Sequence, residues 1–288
     1  MNKITIEPNK LYLVTGGSGF LGHPLVNYIL TQGGLVRVIS RDEGKLVDLK
    51  EKYPSVEIYT GDISDSFEVQ QAMHDVTGVF HLAASKHVGL AEKFVRENIK
   101  TNVIGSLNIL ENSIKHPTLK FILSVSTDKA AQVAGVYGAT KFLMERAIKQ
   151  YEQMNPSVMY RVVRYGNVLY STGSVLCKWR DLISSGKEVI VTAPDATRFF
   201  WSVDDAIQLI IDCMQDSIDS TPYCPIMKSM RIDDLLNAMI IKYGNGVEIP
   251  IKVIGLQPGE NMHEKVLEDG PYSNEVECFT IDEILPMI

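Results

Sequence analysis

Tyr137 and Lys141 stand four residues apart in a stretch, Val136-Tyr137-Gly138-Ala139-Thr140-Lys141, that suits the start of a helix. Four-residue spacing puts both side chains on one helix face. An ammonium beside a phenol favours the phenolate, so Tyr137 could take the proton of a substrate hydroxyl. The bare pattern also occurs on ordinary surface helices, and its meaning rests on what precedes it. Just upstream, Ser126-Thr127-Asp128-Lys129-Ala130 sets an acid beside a base at the end of a strand candidate.

Near the amino terminus, Thr15-Gly16-Gly17-Ser18-Gly19-Phe20-Leu21-Gly22 lies between a strand candidate and a helix candidate. Glycines at 16, 19 and 22 allow a tight turn and close approach of backbone to a pyrophosphate. The helix amino terminus then offers free N–H groups and its positive dipole end. Alone, such a loop could be a ligand-free turn; between strand and helix it reads as a dinucleotide cradle. An acid ending the second strand would favour NAD by binding a ribose 2′-hydroxyl. The chain has Ser40-Arg41-Asp42 there, with Lys45 one turn on. Arg41 and Lys45 could neutralise a 2′-phosphate, which points to NADP; solvated surface charge is the plain alternative. Asp62 and Ile63 follow the third strand, where Asp62 could meet the adenine or cap a helix. Ala83 and Ala84 end the fourth strand with small residues where backbone must lie close to the cofactor.

GGSGFLG, SRDEGK, HLAASKH, SVSTDKA, YGATK, RYGNV, TRFF and PGENMHEK occur in an order that resembles the extended short-chain dehydrogenase/reductases. Among these, the chain is most similar to the inverting UDP-N-acetylglucosamine 4,6-dehydratase/5-epimerase group, over about residues 10–267. Thr127-Asp128-Lys129 is the sharpest element, because retaining 4,6-dehydratases typically carry Thr-Asp-Glu. One departure is Gln257-Pro258-Gly259-Glu260, where the family commonly has arginine first, removing one cation near the nucleotide diphosphate.

The resemblance implies a reaction. Oxidation of sugar carbon 4 makes the carbon-5 hydrogen acidic; water then leaves across carbons 5 and 6, and the cofactor is regenerated. Tyr137 is the implied base for the carbon-4 hydroxyl, with Lys141 beside it and Thr127 on the same oxygen. Asp128 is the implied acid and Lys129 the implied carbon-5 base, which calls for a raised Asp128 pKa and a lowered Lys129 pKa. Tyr165 is expected near the nicotinamide and Asn167 on the substrate. Arg198 is expected on the diphosphate or uridine, Lys86 and His87 beside the hexose, and Glu260 on the uridine ribose. A 4-epimerase or reductase would share the loop, Tyr137 and Lys141 without needing the Asp128–Lys129 pair. A 5,6-dehydratase and a non-catalytic dinucleotide sensor are the remaining alternatives.

These residues must be positioned by alternating elements. Strand candidates are 11–15, 35–40, 56–59, 78–83, 120–124 and 160–164; helix candidates are 21–31, 43–52, 66–74, 93–115 and 136–155. Such alternation predicts an α/β fold, a Rossmann-type doubly wound parallel sheet. A nucleotide-binding domain over 1–170, to which later segments return, is expected to carry a smaller substrate lobe over 171–288. In the latter, helices at 176–185, 204–216 and 232–243 alternate with short strands at 189–191 and 249–254.

With 45% hydrophobic and 22% charged residues, the chain reads as a packed globule. Cys177, Cys213, Cys224 and Cys278 form no CxxC pair, and no metal-ligand spacing is present, so neither disulfides nor a metal site are expected. A net charge of −7 weighs against nucleic acid. No apolar run reaches the roughly 18–20 residues that cross a bilayer, and MNKITIEPNK carries no leader-like stretch. The expectation is a cytoplasmic homo-oligomer acting on a UDP-sugar.

Overall fold

The structure, a computed structural model, describes residues 3–288. Six parallel strands form the central sheet: β1 (Leu11–Thr15), β2 (Leu35–Ser40), β3 (Glu57–Thr60), β4 (Gly78–His81), β5 (Phe121–Thr127) and β6 (Met159–Tyr165). Their order, β3-β2-β1-β4-β5-β6, is that of a Rossmann-type doubly wound sheet. Parallel strands are covered on both faces, and every residue of β5 is buried. Crossovers on the two faces are α1 (Gly22–Thr31), α2 (Glu43–Lys52), α3 (Ser66–Ala72) and a long connection between β4 and β5.

That connection departs from the single helix predicted over 93–115. It comprises α4 (Val88–Lys93), α5 (Val95–Asn98), a π-helical turn (Ile99–Ile104) and α6 (Gly105–Ser113). Phe94 leaves helical geometry (φ −119°, ψ 57°) and separates the first two. The wider π turn brings Asn102 inward. There its amide accepts from Ser85 N at 2.7 Å and donates to Ser85 O and Thr140 Oγ1, both at 3.0 Å. Gly105 lets this helix lie on Ile63, whose side chain a Cβ would meet at 2.7 Å.

The chain then runs through α7 (Val136–Met154), β6 and β7 (Asn167–Val168) into the smaller lobe. The lobe packs α8 (Val175–Ser184) and later α10 (Ile232–Tyr243) and α11 (Ile281–Ile284) around Leu176, Trp179, Ile183, Leu235 and Met239. Its short strands are β8 (Val189–Val191), β9 (Thr197–Arg198), β10 (Phe200–Trp201), β11 (Met230–Arg231) and β12 (Ile251–Val253). Two later segments pack with the sheet. The helix α9 (Val203–Asp216) places Ala206, Ile210 and Cys213 in the same core as β1, and Tyr223 adds a parallel bridge to Val163 of β6.

Arg164 in β6 ties these parts together from a fully buried position. Its Nε donates to Glu145 of α7 at 2.8 Å, and its two terminal nitrogens donate to Glu268 at 2.8 and 2.9 Å. Nη1 also donates to Val266 O at 3.0 Å. Removing one partner of a buried pair leaves an uncompensated charge, at a cost of about 3–5 kcal/mol. Arg164→Met should lower the unfolding free energy by about that much, measured as a shift of the urea midpoint. A loss within about 0.5 kcal/mol, typical of surface substitutions, would show that the clamp contributes little.

Candidate active site

The first turn after β1 has the shape of an anion cradle. Gly16 adopts φ +70°, and a Cβ there would lie 2.9 Å from Ala83 N. Gly19 N closes the turn on Gly16 O at 2.9 Å. At Gly22 a Cβ would collide with the carbonyl oxygens of Gly16 and Gly17. No side chain caps α1; His23 N and Leu25 N bond Gly19 O and Leu21 O and Pro24 has no N–H, so Gly22 N is the first-turn amide left to face an anion. Ser18 is buried in the turn, while Phe20 and Leu21 are partly exposed. The residues present fit a pyrophosphate.

At the end of β2, Asp42 caps α2 by accepting from Lys45 N at 3.1 Å, and it pairs with Lys45 Nζ at 3.2 Å. Ser40 Oγ accepts from Asp42 N at 3.2 Å. Asp62 faces Arg41 at 3.5 Å and Lys100 at 3.6 Å, and accepts from Ser64 N at 2.9 Å. Ile63 is turned into the core against Gly105. Arg41, Lys45 and Lys100 therefore form an exposed cationic group, of which Lys100 escaped the sequence reading.

Beneath the cradle, buried His81 bonds Thr15 Oγ1 at 2.8 Å and Ser106 Oγ at 2.9 Å. Thr15 Oγ1 also accepts from Ala83 N at 3.1 Å, orienting the Ala83-Ala84 segment. Burial first, and nearby Lys141 second, push the imidazole pKa down to about 3. His81 is a neutral hydrogen-bonding post.

The acid–base cluster sits where β5 ends. Thr127 Oγ1 donates to Asp128 Oδ1 at 2.8 Å. Lys129 Nζ donates to the same oxygen at 3.0 Å and pairs with Glu264 Oε1 at 3.1 Å. Arg198 Nε reaches Glu264 Oε1 at 3.3 Å. Asp128 and Glu264 are enclosed; of the trio, only Lys129 is partly open, its side chain 18% exposed. Gly138 allows the approach of α7, because a Cβ there would strike the carbonyl of Lys129. Glu92 of α4 caps α7 by accepting from Val136 N at 2.6 Å. The narrow cleft in front is lined by Lys129, Gln132, Gly135, Tyr137, Gly259 and Asn261.

Protonation in this cluster differs from expectation. Lys129 was expected below its usual pKa, yet the two carboxyls outweigh burial and hold it above the usual lysine range. Asp128 was expected above its usual value. Burial does push it up, but Lys129 and the hydrogen bonds of Glu264 and Thr127 hold it below the usual carboxylate range. The raised acid is Glu264, lifted to about 8 by burial and by Asp128. Burial pushes the Tyr137 phenol up, while Lys129 first and the Thr127 hydroxyl second pull it down. Lys141 turns its ammonium to Met144 Sδ at 3.2 Å, and burial lowers it to about 8. The cation acting on the phenol is thus Lys129, not Lys141.

The remaining site candidates scatter around the cleft. Tyr165 is pushed up by burial and by adjacent Tyr137. Asn167 Nδ2 donates to Phe199 O at 3.3 Å. Arg198 holds three backbone carbonyls, those of Thr197, Met262 and Asn261, at 2.7–2.9 Å, so the guanidinium chiefly fixes the loop bearing Glu264. Glu260 closes its own turn by accepting from Gln257 N at 2.9 Å. Lys86 and His87 are exposed at the rim, where Lys178 of α8 adds a cation acting on His87. Among the described residues no helix is long and apolar enough to cross a membrane, and no His/Cys/Asp/Glu group is arranged to hold a metal ion.

A family model described as polysaccharide biosynthesis protein matches residues 12–284. A Methanocaldococcus jannaschii protein named as an uncharacterized membrane protein is 37% identical, covering 93% of this chain and 83% of its own. A UDP-glucose 4-epimerase of Rickettsia canadensis is 33% identical, covering 90% and 78%. An inverting UDP-N-acetylglucosamine 4,6-dehydratase of Campylobacter jejuni is 33% identical, covering 88% and 76%. Among solved structures, Pen from Bacillus thuringiensis superposes with a TM-score of 0.92 at 27% identity, covering 98% of both chains.

His81 gives the site framework an acid sensitivity. The unfolded imidazole takes a proton below about pH 6.5, whereas the folded one resists until about pH 3. Between those values the unfolded state binds more protons, so stability falls as pH falls, by up to about 1.4 kcal/mol per pH unit. His81→Gln, which keeps a hydrogen-bonding group, should flatten this part of the stability–pH curve in denaturant titrations at pH 6.5 and 5. An unchanged slope would show that His81 is charged in the fold.

Proposed function

Because the chain belongs to the polysaccharide biosynthesis protein family, we propose that it is a UDP-N-acetylglucosamine 4,6-dehydratase that inverts carbon 5 and uses NADP. The observation that carries this reading is Lys129, held between Asp128 and Glu264 beside Tyr137. An elimination needs both an acid and a base near carbons 5 and 6. A 4-epimerase has no step for such a cluster. That second reading keeps one observation in its favour: a relative named UDP-glucose 4-epimerase is as similar as the one named dehydratase.

The loop from Gly16 to Gly22 would hold the pyrophosphate. Arg41 and Lys45 would hold a 2′-phosphate, with Asp62 and Ile63 at the adenine end. Ala83, Ala84, Lys141 and Tyr165 would border the nicotinamide half. The dinucleotide, when bound, supplies reversible oxidation of the sugar. Tyr137 takes the carbon-4 hydroxyl proton, and Thr127 bonds the same oxygen. The resulting ketone acidifies carbon 5. Lys129, once neutral, takes the carbon-5 proton, and Asp128 supplies the proton that lets the carbon-6 oxygen leave as water. Asp128 lies behind Thr127 and Lys129, so it reaches the cleft only through those two groups. Asn167, Lys86, His87, Arg198 and Glu260 are the proposed substrate border, the last two through the loop they shape.

Two measurements test this reading. In deuterium oxide, incubation with UDP-N-acetylglucosamine and no added reductant should give a 4-keto-6-deoxy sugar of L-configuration, with deuterium at carbon 5 by NMR. Tyr137→Phe should fold yet lose turnover, and Lys129→Ala should block loss of water. A simple 4-epimer would refute dehydration, and retained configuration would refute inversion. For the cofactor, the exposed pairs Arg41–Asp62 and Lys45–Asp42 are weak and open to a phosphate. One charge-assisted contact is worth about 1.5–3 kcal/mol, so Arg41→Ala should weaken NADP roughly ten- to a hundred-fold. NAD should be nearly unaffected in calorimetric titration, and a wild-type preference for NAD would overturn the assignment.

A further inference from the structure

Resting on the dehydratase reading, the inference concerns a group outside the motif that suggested it. Two buried carboxylate oxygens in the cluster, Asp128 Oδ2 and Glu264 Oε2, find no donor among the described residues. Both carboxyls grip the one Lys129 ammonium, at 3.0 and 3.1 Å, so they lie side by side in the enclosed cluster. Two enclosed carboxyls so close disfavour ionising together, and one proton between the two unpartnered oxygens satisfies both. The other oxygen of each acid is already engaged: Asp128 Oδ1 with Thr127 and Lys129, Glu264 Oε1 with Lys129 and Arg198.

We propose that Asp128 and Glu264 share one proton, and that Glu264 relays protons between Lys129 and Asp128. The relay balances as written. Lys129 Nζ gives a proton to Glu264 Oε1 over the 3.1 Å contact, and Glu264 gives the shared proton to Asp128 Oδ2. Lys129 is left as a neutral amine, Asp128 as a carboxylic acid, and Glu264 with one proton as before. No proton need enter from solvent, which matters because both carboxyls are closed to water. The resting arrangement, Lys129 charged and Asp128 ionised, thereby becomes the acid and base that elimination needs. Glu264 is a positioning residue here, since it acts through its two neighbours.

The groups bearing on this proton come from several elements. Asp128 and Lys129 follow β5, Arg198 lies in β9, and Tyr137 in α7 bears on Lys129 and Asp128. Cys224, beyond α9, faces Asp128, and His263 bonds Thr197 beside Arg198. Among them, burial and Asp128 raise Glu264 to about 8, while Lys129 and Arg198 oppose the rise.

The test uses the full chain labelled with carboxyl-¹³C glutamate. In the free protein, one glutamate resonance should stay protonated at neutral pH and titrate near pH 8. It should vanish in Glu264→Gln. In Asp128→Asn, which removes the repelling partner, it should fall toward the ordinary value. During turnover, Glu264→Gln should lower kcat at least tenfold with little change in KM. It should also abolish the loss of activity expected as wild-type pH rises through about 8. Should Glu264→Gln fail to fold, the shift between wild type and Asp128→Asn identifies the same resonance. A Glu264 carboxyl that ionises with the other glutamates, or a Glu264→Gln enzyme with wild-type kcat and pH profile, would overturn the proposal. Shifted titration without loss of water from UDP-N-acetylglucosamine would sink the dehydratase reading and the relay's use, leaving only the shared proton.

Discussion

Lys129 is an ammonium held in a largely closed site, and such a charge is tolerated only when it is paired and hydrogen-bonded. Its two partners come from distant parts of the chain: Asp128 from the end of β5, Glu264 from the loop between β12 and α11. Satisfying one cation therefore docks the carboxyl-terminal third onto the sheet. Arg198 completes the group, so that two cations face two carboxyls sharing a proton. The same solution recurs at Arg164, which clamps Glu145 of the Tyr137 helix and Glu268, four residues beyond Glu264. Two buried ion clusters thus set how the loop, the helix and the β5 end meet.

Much of the fold was legible because a doubly covered parallel strand must read as a short apolar run. The limits of β1, β2, α2, β8 and α10 coincide with those read from the sequence, and most other elements shift by only a few residues. The connection after β4 was not legible. Residues 93–115 hold no proline to force a break, and one glycine, Gly105, does not by itself end a helix, so local pattern gives no reason to break it. The break at Phe94 and the π turn answer tertiary demands instead: Asn102 must bridge Ser85 and Thr140, and Gly105 must clear Ile63. Neither demand leaves a trace in hydrophobic period.

The site was legible in its parts but not in its charges. Tyr137 could be named from its spacing to Lys141, and Thr127, Asp128 and Lys129 from the family resemblance; the fold brings Lys129 and Tyr137 to one cleft edge, with Asp128 enclosed beside Thr127 and Lys129. Which group carries a proton could not, because Glu264 decides it from far along the chain. The only trace was a second acid in the Pro258-to-Lys265 stretch, four residues after the one that drew notice. Arg198 and Glu260 illustrate the converse. The family resemblance suggested ligands, yet folding supplies them with backbone partners that no motif displays.

The proposed reaction asks two opposed things of Lys129, and its place beside Tyr137 in the linked group Thr127–Asp128–Lys129–Glu264 lets one residue meet both in turn. While charged, Lys129 is the cation that draws down the Tyr137 phenol and so favours removal of the carbon-4 hydroxyl proton. Elimination next requires Lys129 to be a neutral base. Once it yields its proton, the pull on Tyr137 disappears and the phenol holds its own proton more firmly. Oxidation at carbon 4 and deprotonation at carbon 5 are thereby coupled through a single charge, and the site cannot favour both at once. That coupling imposes an order on the steps: the proton leaves Lys129 only after Tyr137 has done its work, when the ketone that acidifies carbon 5 already exists.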